Sequence, residues 1–430
     1  MRTVGRGPLR RDGDGNGDRA DPTRRGRHGN RRLHVQAFPG HALMREVAIV
    51  GIGGTRFGKY GDRSIRVIGE ESCIQAIRDA GMKPRDIQQA YVGNLAQWEW
   101  GQGLLVGHSV LREIGITRIP ITRVENGCAT GSNAFHEAWY RVATGACDVA
   151  LAFGVEQMTV ASSEKILNVF TGRQHAERDG DMGNTAPGLF ALMARRHMEE
   201  FGTTREQIAM VAVKNREYGS RNPDAQLTRP VTLAEVLGER MICDPLTLPQ
   251  CCPRGDGSAA AVLVAAEIAG KYSSRPVSVA ASVQVSGAYS DEGSYTGFDT
   301  DVRAAAAAYR MAGLGPEDID LAEVHDCFSV AEIVHYEDLG FCRKGEGGRF
   351  VEDGHSGPGG RIPVNTSGGL LSKGHVIGAT GISQIVELVR QLRGQAGDRQ
   401  VEGARVALQH NGGGFIHTDT ATCFIHILRN

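Results

Sequence analysis

Four short stretches combine sulfur, imidazole and pliant backbone in patterns that could do chemistry. Cys128 stands in Val124-Glu-Asn-Gly-Cys-Ala-Thr-Gly-Ser-Asn133, directly before a segment that reads as a helix to Thr144. A thiol there faces the positive end of a helix dipole and unpaired N–H groups, which lower its pKa and favour the thiolate. The flanking glycines permit a sharp turn that presents the sulfur. Most free cysteines are simply small buried hydrophobes, so this context is what marks Cys128 as a nucleophile. His325, Asp326 and Cys327 follow one another in Glu323-Val-His-Asp-Cys-Phe328 at the end of a strand, and sites form at the carboxyl ends of parallel strands. Asp326 taken singly could cap the next helix. His375 lies in the glycine-dense loop Gly368-Gly-Leu-Leu-Ser-Lys-Gly-His-Val-Ile-Gly-Ala-Thr-Gly381. Its plain reading is a loop histidine bonded to backbone; paired with Cys128 it would make an activated nucleophile. In Gln409-His-Asn-Gly-Gly-Gly414, consecutive glycines let N–H groups converge on a developing oxyanion, although such runs also form ordinary turns.

An alternation of strands and helices brings these residues to their places. Glu46–Gly51 reads as a buried strand, Ile65–Ala80 as an amphipathic helix closed by Gly81, and Ala90–Val92 as a short strand. Ala134–Thr144 reads as a helix closed by Gly145, and Asp148–Phe153 as a strand. This rhythm predicts an α/β fold with a largely parallel, helix-covered sheet. An internal repeat adds to it. Ala80-Gly-Met-Lys-Pro-Arg-Asp-Ile-Gln-Gln-Ala-Tyr-Val92 and Ala312-Gly-Leu-Gly-Pro-Glu-Asp-Ile-Asp-Leu-Ala-Glu-Val324 share seven of thirteen positions in register, which decides for duplication. Ala129-Thr-Gly131 and Ala379-Thr-Gly381 each open a helix, and each helix leads to a strand, Val149–Leu151 and Val406–Leu408. The chain therefore divides into halves at 44–270 and 276–430, the first interrupted at about 155–240 by an insertion suited to covering substrate. By the duplication, Cys128 and His375 occupy equivalent places and should meet across a pseudo-twofold axis.

Composition limits the function classes. Apolar residues make up 41% and charged residues 23% of 430, enough for a large core. No apolar run approaches the ~18 residues of a membrane span. The net charge of −1 joins a basic tail to a mildly acidic body that carries no electrostatic footprint for nucleic acid. The tail, residues 1–43, has ten Arg, four Asp and few apolar residues, so it is expected to be disordered. Met44 immediately precedes the first strand and is the expected native start. The nine cysteines include no C-x-x-C pair, so no disulfide framework or tetrahedral zinc site is expected, and the thiols should be reduced in the cytoplasm. Cys251, Cys252, Cys73, Cys147, Cys342 and Cys423 read as structural.

On Asn126-Gly-Cys-Ala-Thr-Gly131, Gly154-Val-Glu-Gln-Met158, His325-Asp-Cys-Phe328, Ser372-Lys-Gly-His375 with Gly378-Ala-Thr-Gly381, and Asn411-Gly-Gly-Gly414, the chain resembles the thiolase superfamily. The resemblance runs from Met44 to Asn430 and is closest to the sterol-carrier-protein-type and archaeal-type branch. It implies duplicated βαβαβ halves in a five-layered α-β-α-β-α arrangement, and an acyl-CoA acyltransferase performing Claisen cleavage or condensation. Cys128 would carry the acyl group, His375 would help generate the thiolate, and Cys327 would be the acid/base at the α-carbon. His325 and His375 would hold the enolate, while the Cys128 amide with Gly412 or Gly413 would hold the tetrahedral intermediate. The resemblance further implies coenzyme A thioesters as substrates with no metal or tightly bound cofactor, and a homodimer. A thiolase-like aldolase with a small OB-fold, zinc-bearing partner is the alternative, and Cys128 argues against it; a non-catalytic acyl-CoA or lipid binder is a third. Val376 stands where the family has proline, leaving the backbone after His375 less constrained.

Overall fold

Residues 149–157 read Val-Ala-Leu-Ala-Phe-Gly-Val-Glu-Gln, large and small side chains in alternation, and that alternation sets the layering of the molecule. The computed structural model describes residues 44–101, 103–171, 185–288 and 293–430. The expectation for residues 1–43 lies outside them. Eleven strands occur among the described residues: β1 (Val47–Gly54), β2 (Gln89–Gly93), β3 (Ile121–Val124), β4 (Val149–Gln157), β5 (Met241–Cys243), β6 (Leu246–Thr247), β7 (Asp256–Ala265), β8 (Val277–Ser286), β9 (Leu321–Glu323), β10 (Val406–Ile416) and β11 (Asp419–Arg429). Nine form one sheet in the order β3-β2-β4-β7-β1-β8-β11-β10-β9. Its two halves join where β1 meets β8 through Ala48↔Ser278 and Ile49↔Val277.

Side chains alternate across a strand, so β4 sends Leu151, Phe153 and Val155 outward against the helix Ile65–Asp79 and the helix Val106–Glu113. It sends Ala150 and Ala152 inward, with Ala259 and Ala261 of β7, against the helices Thr130–Ala143 and Ile377–Leu392. The outer face of the second half is covered by Asp299–Ala312 and Ser329–Asp338. The result is the five-layered α-β-α-β-α arrangement. Small inward residues let the central helices sit very close: a Cβ on Gly154 would lie 1.9 Å from the Gly378 carbonyl oxygen, and one on Gly131 would lie 2.9 Å from the Gly381 nitrogen.

The repeated segments fold alike. In each, a glycine in the left-handed region ends a helix, Gly81 at φ 61° and Gly313 at φ 69°. A short turn follows whose aspartate accepts from the backbone three residues earlier, Lys83 N–H to Asp86 and Gly315 N–H to Asp318, both 2.8 Å. Each turn feeds a strand paired in parallel, β2 with β4 and β9 with β10.

The largely parallel sheet expected from the rhythm is corrected to a mixed one. Only β2–β3, β2–β4 and β9–β10 are parallel, whereas β4–β7, β7–β1, β1–β8, β8–β11 and β11–β10 are antiparallel. One physical reason is connection length, since β10 and β11 are joined by a turn too short for a crossover; between β4 and β7 runs a long excursion. That excursion includes the helices Ala186–Phe201 and Arg205–Ser220. Their Phe190, Ala194, Ile208 and Val211 pack with Val330, Ile333 and Val334 on the second half.

Candidate active site

Cys128 and His375 each precede the first residue of a central helix by two positions, Thr130 and Ile377. Because those helices pack side by side at Gly131 and Gly381, the two residues arrive at one place. The sulfur of Cys128 and one ring nitrogen each of His325 and His375 all lie within 4.8 Å of one another, and the two rings meet edge to face at 5.1 Å.

The hydrogen-bond partners assign opposite tautomers to the two imidazoles. Thr380 Oγ1 donates to the Val376 carbonyl at 2.9 Å, so at 2.8 Å it accepts from His375 Nδ1–H. His375 Nε2, buried and with no partner, is then a bare base. At His325, Nδ1 accepts from Asn411 Nδ2 at 2.8 Å. Asn411 is oriented by Ser132, which donates to its Oδ1 at 3.0 Å and itself accepts from Gln409 Nε2 at 2.8 Å. His325 Nε2 therefore carries a proton and serves as a donor. Burial keeps both rings neutral, pulling His375 down to about 3 and His325 well below the usual range, with neighbouring histidines adding to the effect.

The expectation of a lowered Cys128 pKa is corrected. Burial dominates and pushes the thiol up to about 12, against the opposing N–H groups of Gly414 and of Cys128 itself. Near neutrality the sulfur is thus a thiol that gives up its proton when it reacts. Below its pKa the thiolate fraction grows about tenfold per pH unit, so alkylation of Cys128 by iodoacetamide should climb steadily from pH 7 to pH 9 without levelling. A plateau with a midpoint below 8, followed by mass spectrometry of the Cys128 peptide, would contradict this.

Cys327 is buried beside the site. Burial raises its thiol well above the usual range, and the nearby Cys252 and Cys128 raise it further. Cys252, read from the sequence as structural, belongs to this group: its N–H donates to the Cys327 carbonyl at 3.0 Å, and Cys128 is the first charge to act on it after burial. Nothing local in Gln250-Cys-Cys-Pro253 signals this, since the bridge from Cys251 to Phe328 is a contact between distant segments.

Asp326 caps a helix, but not the one that follows it. Its carboxylate accepts from Leu370 N–H at 2.7 Å and Leu371 N–H at 3.2 Å, the first turn of Gly369–Lys373, and so ties the His325 segment to the His375 loop. Val376 takes φ −107°, outside the range open to proline, and the His375 N–H is held by the Pro253 carbonyl at 2.9 Å. Gly412 pairs with Cys423 across the β10–β11 hairpin. Gly413 and Gly414 line a cavity of about 530 Å³ with Cys128, Asn126, Trp98 and Phe415. The Gly414 N–H, rather than that of Gly412, points at the Cys128 sulfur.

Compared with known families, residues 47–244 match the thiolase N-terminal domain and residues 281–426 the thiolase C-terminal domain-like model. The chain belongs to the thiolase family. This thiolase is 47% identical over 373 residues to an acetyl-CoA acetyltransferase of Methanothermobacter thermautotrophicus, covering 86% of this chain and 97% of that one. It is 38% identical to the benzoylsuccinyl-CoA thiolase subunit BbsB of Thauera aromatica, covering 86% and 96%. Among solved structures it resembles an Ltp2-ChsH2(DUF35) aldolase with a TM-score of 0.76 at 28% identity, covering 89% and 97%. This thiolase is an acyltransferase.

Proposed function

We propose that the chain transfers acyl groups between coenzyme A thioesters by Claisen condensation or cleavage, with Cys128 as the acyl carrier. The observation that carries this is the meeting of the Cys128 sulfur with one ring nitrogen each of His325 and His375 within 4.8 Å. As the sulfur attacks the thioester carbonyl, His375 Nε2 takes the thiol proton and passes it to the departing CoA sulfur. The Cys128 and Gly414 amides hold the tetrahedral oxyanion. In the second half-reaction the small fraction of Cys327 present as thiolate removes a proton from the α-carbon of the second thioester and hands that proton to the Cys128 sulfur as it leaves. His325 Nε2–H holds the enolate oxygen, and the carbon displaces Cys128 from the acyl group. Cleavage runs the same steps backward.

Acyl-CoA substrates, no tightly bound cofactor and a cytoplasmic homodimer complete the proposal, carried by the family resemblance. A small OB-fold, zinc-bearing partner is included because the aldolase neighbour is a two-protein assembly by its name. The aldolase activity itself gains no support over acyl transfer. Incubation with acetyl-CoA should leave one acetyl group per chain by intact mass and release free CoA, and added CoA should discharge it. Turnover without any adduct would refute the covalent route.

A further inference from the structure

Behind His325 lies a buried group that none of these steps uses. β9 ends at Glu323, so the peptide of His325 has already left the sheet ladder. Two imidazoles grip it instead. The His325 N–H donates to His410 Nδ1 at 3.4 Å, and His335 Nε2 meets the His325 carbonyl at 3.2 Å. Both imidazoles rest on a single carboxylate: His335 Nδ1 lies 2.8 Å from one oxygen of Asp301 and His410 Nε2 lies 3.1 Å from the other. All three side chains are buried. His410 adjoins Asn411, so consecutive residues of β10 hold the peptide and the ring of the same histidine.

We propose that Asp301, His335 and His410 are positioning residues that fix His325 for acyl transfer, and that Asp301 and His335 share one proton to do so. The proton follows from counting donors. A carbonyl only accepts, so His335 Nε2 must carry hydrogen; a carboxylate only accepts, so its 2.8 Å contact with Nδ1 needs hydrogen there too. Neutral imidazole supplies one. His410, which accepts at Nδ1, carries its hydrogen on Nε2, 3.1 Å from the second oxygen but without the alignment of a hydrogen bond. Burial alone would raise the Asp301 carboxyl, but the two neighbouring imidazoles pull it well below the ordinary range. Burial, with His410, lowers His335 below its ordinary value against the opposing pull of Asp301, so the second ring hydrogen follows from the 2.8 Å contact and not from that shift. Around the pair stand Cys423 of β11, Asp338 on the helix of His335, Asp419 and His325.

The inference rests on His325 acting in the proposed reaction, so His325→Ala is the control. If His325→Ala keeps full turnover, it is the role of His325 that fails. With that role intact, Asp301→Asn should lower kcat by about 10- to 100-fold with KM within about twofold, the cost of a misplaced catalytic group. His335→Gln, whose amide can still donate to the His325 carbonyl, should recover most of the activity lost in His335→Ala. Independently of any variant, nitrogen NMR of the native enzyme should find hydrogen on both ring nitrogens of His335 at pH 7. Unchanged kcat in a folded Asp301→Asn, equal losses in the Gln and Ala variants, or a bare nitrogen on His335 would overturn the proposal. So would a stoichiometric metal ion in the purified protein, since Asp301, His410 and Cys423 offer donor atoms within 4.8 Å of one another.

Discussion

Serine in place of Cys128 is expected to lower acyl transfer by about 10⁴-fold or more, the scale on which removing a nucleophile acts, and to abolish the acetyl adduct. The reason is specific to this site. His375 Nε2 is a neutral imidazole whose basicity burial has reduced to about 3. Such a base can take a proton from sulfur only as the carbonyl bond forms, and a hydroxyl, far less acidic than a thiol, gives it too little driving force. An oxygen ester on the introduced hydroxyl would also be a poorer acyl donor to a carbon nucleophile than the thioester. Stability should change little, because the substitution replaces one small side chain with another at a cavity wall. Turnover within about tenfold of native in Cys128→Ser would remove Cys128 from the mechanism.

Alanine in place of Gly154 is the second large effect. The added methyl would meet the Gly378 carbonyl oxygen at 1.9 Å and the Ala379 Cα at 2.8 Å, both backbone, so no side chain can turn aside to relieve it. The central helix Ile377–Leu392 must shift, and His375 shifts with it, being two residues upstream. Overpacking of this kind costs about 1–3 kcal/mol, and a displacement of about 1 Å at a catalytic group costs on the order of 10²-fold in rate. Urea unfolding and kcat measured on one preparation should therefore fall together. Native stability with native kcat would mean that the central helices are not in the contact described.

Much of this was legible in the residues. The seven shared positions of the repeat carry a glycine, a proline and an aspartate at spacings that build one turn twice, and local chemistry sufficed to predict it. Ala129-Thr-Gly131 and Ala379-Thr-Gly381 marked the two central helices, and from their equivalence followed the meeting of Cys128 with His375. The expected parallel sheet failed at strands such as β7, which runs antiparallel to both β4 and β1, because a strand's direction depends on how the chain before it travels and leaves no mark on its own sequence.

Neighbours within a few residues were enough to specify the repeated turns, the glycines that let the central helices touch, and the sulfur and imidazole at the starts of those helices. Ionisation, and the company these groups keep, came from the folded arrangement alone. The N–H groups of Gly414 and Cys128 and burial pull the Cys128 thiol in opposite directions, and burial wins because it sums over all the segments that close around the sulfur. The tautomer of His325 is set through Asn411, 86 positions away, and Cys252 and Asp301 come beside the site only when remote strands and helices close around it. Proton positions in a buried site belong to the whole set of contacts, and no local stretch of chain contains that set.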